Sequence, residues 1–118
     1  MAKIGIIGAG SWGIALSVLL HNNGHEITVW SILEDEINML KTEHEHKDKL
    51  PGVKLPEDMI FTTSLPEAIE GKDILVLAVP SPFTRSTSHN MKPYVADGQI
   101  IVNVGYRGTY SYDPVSDY

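Results

Sequence analysis

Residues 4–13 of the chain read IGIIGAGSWG, and this stretch decides the fold. A largely apolar run breaks into the spacing Gly-x-Gly-x-x-Gly at Gly8, Gly10 and Gly13, and a helical pattern of apolar residues follows over 14–20. In a turn between a strand and a helix, the first glycine permits the change of direction and the second lets backbone N–H groups approach a pyrophosphate. The third lets the helix lie close to the strand. We therefore predict that an anion binds at the N-terminus of the first helix.

The same apolar run has a competing interpretation as a secretory signal or a membrane span. Between Lys3 and Leu20 no charged residue occurs. However, three glycines, Ser11 and Trp12 interrupt the run, and no small-residue cleavage pattern follows it. We therefore expect the stretch to belong to a folded domain.

The composition narrows the class of protein. A length of 118 residues gives room for one domain, and 42% apolar residues can build a core. The absence of cysteine excludes a disulfide framework and a thiolate metal site, and it favours a cytoplasmic location. A formal net charge of −6 argues against a broad basic surface, so we expect neither nucleic acid nor an anionic membrane as a partner.

Strands and helices alternate along the rest of the sequence. The apolar run at 73–79 is typical of a parallel strand that is buried on both faces. Alternation of this kind predicts right-handed crossovers and a Rossmann-like, doubly wound parallel sheet of the α/β class, in a single domain. Besides the first strand and helix, the predicted strands are 27–30, 59–63, 73–79 and 99–104, and the predicted helices begin near Glu34, Leu65 and Phe83.

Several segments carry more local predictions. Leu33, Ile37 and Leu40 have the spacing of one buried helical stripe. The polar segment 42–49 is predicted to be a surface loop. Residues 105–118 have no apolar periodicity, so we assign a dinucleotide-binding domain to 1–104 and an irregular tail to 105–118.

Ligands of doubly wound sheets bind beyond the C-terminal ends of the strands. Three such ends stand out here, at 8–13, 30–31 and 79–83. We expect them to form one dinucleotide site.

Four short segments resemble the N-terminal domain of bacterial NAD(P)-dependent glycerol-3-phosphate dehydrogenase: GAGSWG at 8–13, LPGV at 50–53, VPS at 79–81 and IVNV at 101–104. The resemblance implies an oxidoreductase that transfers hydride between NAD(P)H and dihydroxyacetone phosphate or sn-glycerol 3-phosphate. It also implies that Ser11 and Trp12 contact the region of the cofactor pyrophosphate. The loop from Pro80 to Phe83 would then flank the ribose and the nicotinamide.

The sequence departs from this family at the end of the second strand. Members that prefer NADP have basic residues just after the tryptophan, whereas Ser31, Ile32 and Leu33 stand here. An NAD site more typically has Asp or Glu at this position, where a carboxylate accepts hydrogen bonds from ribose hydroxyls and repels a 2′-phosphate. Ser31 can only form hydrogen bonds, so we expect a preference for NAD over NADP.

A second departure follows the last strand. The family pattern Val-Ala-Lys-Gly has a lysine that contacts cofactor and substrate, whereas Tyr106 or Arg107 takes this place here, depending on the gap. The family's helical domain, with its general-base lysine and most of the substrate phosphate site, has no counterpart in the chain. We therefore expect a fragment or truncated product without catalytic residues. Its exposed domain interface would favour a homodimer.

A few residues allow more than one interpretation. The segment EHEH at 43–46 suggests a metal site, but two histidines at i and i+2 share a face only on a strand, so a solvated surface is favoured. Ser81 with His89 suggests nucleophilic catalysis, but no Gly-x-Ser-x-Gly elbow is present. Trp12 is interpreted as a ligand-flanking residue or as packing at the sheet edge.

A non-catalytic dinucleotide sensor or a degenerate domain stays open as an alternative function, because the fold alone does not choose among them.

Overall fold

The computed structural model describes residues 1–104, in which five strands and four α-helices alternate. The strands are β1 (Lys3–Ile7), β2 (Glu26–Trp30), β3 (Ile60–Thr62), β4 (Ile74–Leu77) and β5 (Ile100–Asn103). The helices are α1 (Ser11–Asn22), α2 (Glu34–Glu43), α3 (Leu65–Ile69) and α4 (Ser81–Met91), and a short 3-10 helix (Lys92–Tyr94) follows α4.

The five strands form one parallel sheet in the order β3-β2-β1-β4-β5. The chain first builds outward from β1 through β2 to β3 and then returns to the other side of β1 with β4 and β5. The order therefore reverses between β1 and β4, which is the switch point where doubly wound sheets bind ligands. At this end of the sheet Ile7 is in register with Trp30 on one side and with Leu77 on the other. The predicted doubly wound sheet is confirmed.

Helices cover both faces of the sheet. On one face Ile4, Ile6 and Val29 pack with Ile14 of α1 and with α2 residues Ile37 and Leu40. The other face packs Ile7, Trp30, Leu75 and Leu77 against Ala68 and Ile69 of α3 and against Met91 of α4. The apolar run around β4 is buried on both faces, as predicted, and Trp30 is a core residue.

Strand β5 differs from the other strands in its burial. Ile100, Ile101 and Val102 are 59%, 50% and 41% exposed. Strand β5 is at one end of the sheet order, and none of its side chains belongs to the two buried core clusters. Within residues 1–104 the sheet therefore has an apolar edge strand.

Two local predictions are wrong. Leu33 was expected in the buried stripe of α2 but is 59% exposed, because it is the N-cap residue and does not follow the helical repeat. Helix α4 was expected to begin at Phe83 but begins at Ser81, because Pro80 occupies the N-cap position and Pro82 fits the first helical turn. Ile37 and Leu40 are buried as predicted.

The predicted irregular tail at 105–118, with Tyr106 and Arg107, lies outside the described residues. Within residues 1–104, no helix has both the length and the apolar character needed to span a membrane.

Candidate functional site

The glycine-rich turn joins the end of β1 to the start of α1 at the centre of the sheet. Gly8 has a φ of 127°, a conformation that L side chains rarely adopt, and its N–H donates to the carbonyl oxygen of Trp30 at 2.9 Å. A Cβ on Gly13 would collide with the carbonyl oxygen of Gly8. The first glycine therefore makes the change of direction and the third permits the close approach of helix to strand, as the spacing predicts.

Gly10 is the N-cap residue of α1 and lies on the open side of the turn. A Cβ on Gly10 would meet no atom within 4 Å. No side chain caps this helix end, and the first turn of α1 contains no acidic residue. First-turn N–H groups and the helix dipole both favour a bound anion. The space and the donors present at this turn therefore fit a pyrophosphate.

Ser11 and Trp12 follow in the first turn of α1, and both are exposed. The hydroxyl of Ser11 donates to the carbonyl oxygen of Lys49 at 2.8 Å and so joins the turn to the loop after α2. Trp12 is 51% exposed, so half of its surface is free to contact another molecule. The ligand-flanking role of Trp12 stays a prediction.

The end of β4 lies beside the same turn. A Cβ on Gly8 would lie 2.7 Å from the oxygen of Ala78, so the glycine turn packs directly against this strand end. Pro80 is exposed, and its carbonyl oxygen accepts a hydrogen bond from the N–H of Phe83 at 2.8 Å. Phe83 is 58% exposed. An exposed aromatic ring thus follows β1, as Trp12, and β4, as Phe83.

The alternative pairing of Ser81 with His89 has no geometric support. The two residues are at opposite ends of α4. Eight residues of an α-helix rise about 12 Å, well beyond a hydrogen bond. The positions of these two residues along α4 are therefore too far apart for a nucleophile and its base.

Ser31 directly follows β2 and is buried. Its hydroxyl donates to Oε1 of Glu36 at 2.5 Å and accepts the N–H of Leu33 at 3.1 Å. Ile32 and Leu33 are 75% and 59% exposed, so this strand end presents two apolar side chains to solvent.

His46 was expected on a solvated surface, and this prediction is wrong. Its side chain is 2% exposed, and Nε2 lies 2.7 Å from Oε2 of Glu36. Among the described residues no group of histidine and carboxylate side chains could hold a metal ion. Sequence reasoning missed the pair of Glu36 and His46, because the polar composition of 42–49 indicates exposure and nothing in the spacing signals burial.

The loop after α2 is held by several short contacts. His44 ends the helix in the left-handed conformation, with a φ of 50°, and its carbonyl oxygen accepts the N–H of Leu55 at 2.7 Å. The pKa of Glu45 is lowered, first by the backbone N–H of Gly52 that donates to it and second by Lys54. The loop that carries His46 is therefore fixed at both of its ends.

An open groove of about 580 Å³ lies between the start of α2 and this loop. Its lining is formed by Leu33, Glu34, Asp35, Glu36, Met39, His46, Asp48 and Lys49. It adjoins the glycine turn through the hydrogen bond between Ser11 and Lys49.

Comparison of the sequence with known proteins identifies one family. The family model described as the N-terminus of NAD-dependent glycerol-3-phosphate dehydrogenase matches residues 3–108. Over 104 residues the chain is 64% identical to the glycerol-3-phosphate dehydrogenase [NAD(P)+] of Agathobacter rectalis and 54% identical to that of Fusobacterium nucleatum. These alignments cover 88% of this chain but 31% of each relative.

A solved structure agrees with the sequence comparison. The crystal structure of glycerol-3-phosphate dehydrogenase from Coxiella burnetii superposes with a TM-score of 0.82 at 29% identity. The superposition covers 86% of this chain and 31% of that one.

Proposed function

Because this chain belongs to the NAD-dependent glycerol-3-phosphate dehydrogenase family, as its N-terminal region, we propose that its glycine turn binds the pyrophosphate of a nicotinamide dinucleotide. The observation that carries this proposal is Gly10, which faces open space before the uncapped N-terminus of α1. The bound dinucleotide would supply or accept the hydride, and this chain would hold the dinucleotide in place.

Each site residue predicted from the sequence has a proposed role. Gly8 and Gly13 shape the turn, and Gly10 leaves room for the pyrophosphate. The exposed rings of Trp12 and Phe83 flank the cofactor, and both are free to contact it.

The remaining site residues act through the backbone or through neighbours. Ser11 offers its backbone N–H, because its hydroxyl is engaged with Lys49. Pro80 fixes the start of α4, and Ser31 contributes at the ribose side through Glu36.

We propose that NAD is preferred over NADP. Ile32 and Leu33 provide no charge-assisted hydrogen bond to a 2′-phosphate. The neighbouring groove is lined by four carboxylates, from Glu34, Asp35, Glu36 and Asp48, and by the ammonium of Lys49. Such a lining repels an added phosphate more than it attracts one.

The chain spans about 31% of the length of the curated relatives that it matches. We propose that the whole protein interconverts dihydroxyacetone phosphate and sn-glycerol 3-phosphate and serves glycerophospholipid metabolism in the cytoplasm. Residues 1–104 act as its dinucleotide-binding domain and contain no catalytic residue. The remaining length of the relatives would supply the substrate site.

Calorimetric titration of the purified chain with NAD and with NADP tests this function. We expect NAD to bind more tightly, with a dissociation constant of about 0.1 to 1 mM, because a partial site covers one side of the ligand. Tighter binding of NADP would contradict the proposed preference. Absence of heat with both dinucleotides would contradict the binding function itself.

A further inference from the structure

We propose that Glu36 of helix α2 is the residue that selects NAD over NADP, and that His46 and Ser31 are the residues that position it. The inference rests on the proposed dinucleotide-binding function, which it deepens. In this chain the acidic group usual at the end of β2 would come instead from the first turn of α2.

The carboxylate of Glu36 is fixed from two sides. Oε1 accepts the hydroxyl of Ser31 at 2.5 Å, and Oε2 lies 2.7 Å from Nε2 of His46. Ser31 is the first residue after β2, so these contacts place the carboxylate at the strand end where dinucleotide folds bind the ribose. Ser31 therefore stands where NAD sites more typically have an acid, and its hydroxyl binds the carboxylate of Glu36 on the next helix.

The hydrogen bonds of His46 define which nitrogen carries the proton. The N–H of Lys49 donates to Nδ1 at 3.2 Å, so Nδ1 acts as an acceptor. The ring proton is then on Nε2, which donates to Glu36. His46 thus orients the carboxylate through a hydrogen bond from Nε2.

The carboxylate keeps capacity for a ligand. A carboxylate has about four lone-pair sites, and Ser31 and His46 use one on each oxygen. Glu36 also lines the open groove, with a side chain that is 13% exposed. It can therefore accept hydrogen bonds from ribose hydroxyls, whereas a 2′-phosphate would meet a fixed negative charge.

Glu36 differs from Glu34 and Asp35 of the groove in its burial and in its fixed orientation. Glu34 and Asp35 are exposed residues of the same helix turn. Solvent screens an exposed charge and leaves its side chain free to turn away. A largely buried carboxylate with two hydrogen-bond donors has one orientation, which is what discrimination between two similar ligands requires.

The test compares dissociation constants for NAD and NADP in the Glu36→Gln variant. This substitution keeps the size of the side chain and one acceptor oxygen but removes its charge, so we expect the ratio to shift about tenfold toward NADP. Glu26→Gln removes the same charge at the opposite end of β2 and should leave the ratio unchanged. Glu34→Gln, on the same helix turn, should change it much less than Glu36→Gln.

Variants of His46 test its positioning role. His46→Leu removes the donor to Glu36 and should relax the preference for NAD, whereas His46→Gln keeps a donor and should retain most of it. The measured quantity is the ratio of the two affinities, which a general loss of folded protein would not shift.

The unmodified chain provides a measurement that does not depend on folding of the variants. Its preference for NAD should change little when NaCl rises from about 50 to 500 mM, because salt screens a largely buried charge much less than an exposed one. An unchanged ratio in Glu36→Gln, an equal shift in Glu34→Gln, or a preference that disappears at high salt would each overturn the inference while NAD still binds. Loss of binding of both dinucleotides by the unmodified chain would instead overturn the proposed function together with the inference.

Discussion

Gly10 has a backbone that any residue can adopt, with φ of −74° and ψ of −175°, and a side chain there would meet no neighbour. Gly13 is the opposite case, because the carbonyl oxygen of Gly8 occupies the place that a Cβ would take. The two glycines of one motif therefore have different roles. Gly10 leaves space for a ligand, and Gly13 leaves space for the protein itself.

We predict that Gly10→Val abolishes dinucleotide binding and leaves the fold intact, since its side chain would fill the space proposed for the pyrophosphate. Thermal unfolding should stay close to that of the unmodified chain, and calorimetry should detect no binding. The control is Gly13→Val, which should destabilise the fold by several kcal/mol through its clash with backbone. Unchanged NAD affinity in folded Gly10→Val would place the ligand elsewhere.

Residues that belong to a local motif could be identified from the sequence, and those whose role depends on distant contacts could not. Gly8, Gly10 and Gly13 are identified by their spacing. Gly5 looks like any residue of an apolar run, yet a Cβ there would collide with the carbonyl oxygen of Ala68, so α3 packs on the sheet at this point. His46 was likewise hidden, because its partner Glu36 is on another element.

At the scale of elements, periodicity and capping signals located the strands and helices well. The acidic residues Glu34, Asp35 and Glu36 occupy the first turn of α2 as their charge predicts. Ser64 caps α3, accepting the N–H of Glu67 at 3.4 Å. The sequence of β5 is nearly as apolar as that of β4, with Asn103 as its polar residue. This composition does not indicate that one strand is exposed and the other buried.

We predict that the isolated chain self-associates through β5. Exposed apolar side chains on an edge strand favour pairing with another copy of the chain. Sedimentation velocity over a range of protein concentrations should show a dimer or larger species. Ile101→Lys adds a charge to the edge and should shift the protein to monomer, while Lys41→Gln on α2 should not. A chain that stays monomeric at all concentrations would contradict the prediction.

At the scale of the whole molecule, we predict that the isolated chain does not catalyse oxidation of sn-glycerol 3-phosphate or reduction of dihydroxyacetone phosphate. Hydride transfer needs a substrate held against the nicotinamide and a group that moves the hydroxyl proton. We expect both in the part of the relatives that this chain does not cover. Loss of positioning alone raises the barrier by about 7 kcal/mol or more.

An assay that follows NADH absorbance with each substrate measures this directly. No rate above background is expected at any protein concentration. Turnover that scales with the amount of protein and disappears in Gly10→Val would show that the chain holds a complete active site.

The switch point between β1 and β4 also has a consequence for the order of events at the ribosome. The glycine motif leaves the ribosome before β4 does. In the folded domain, however, Gly8 packs against Ala78 at the end of β4. The backbone N–H of Lys3 also donates to the carboxylate of Asp73, across a separation of 70 residues. A growing chain that has exposed only β1, α1 and β2 thus displays the entire nucleotide motif without the strand that supports it. Domains generally fold as units during synthesis, so cofactor can stabilise this one only after β4 has emerged.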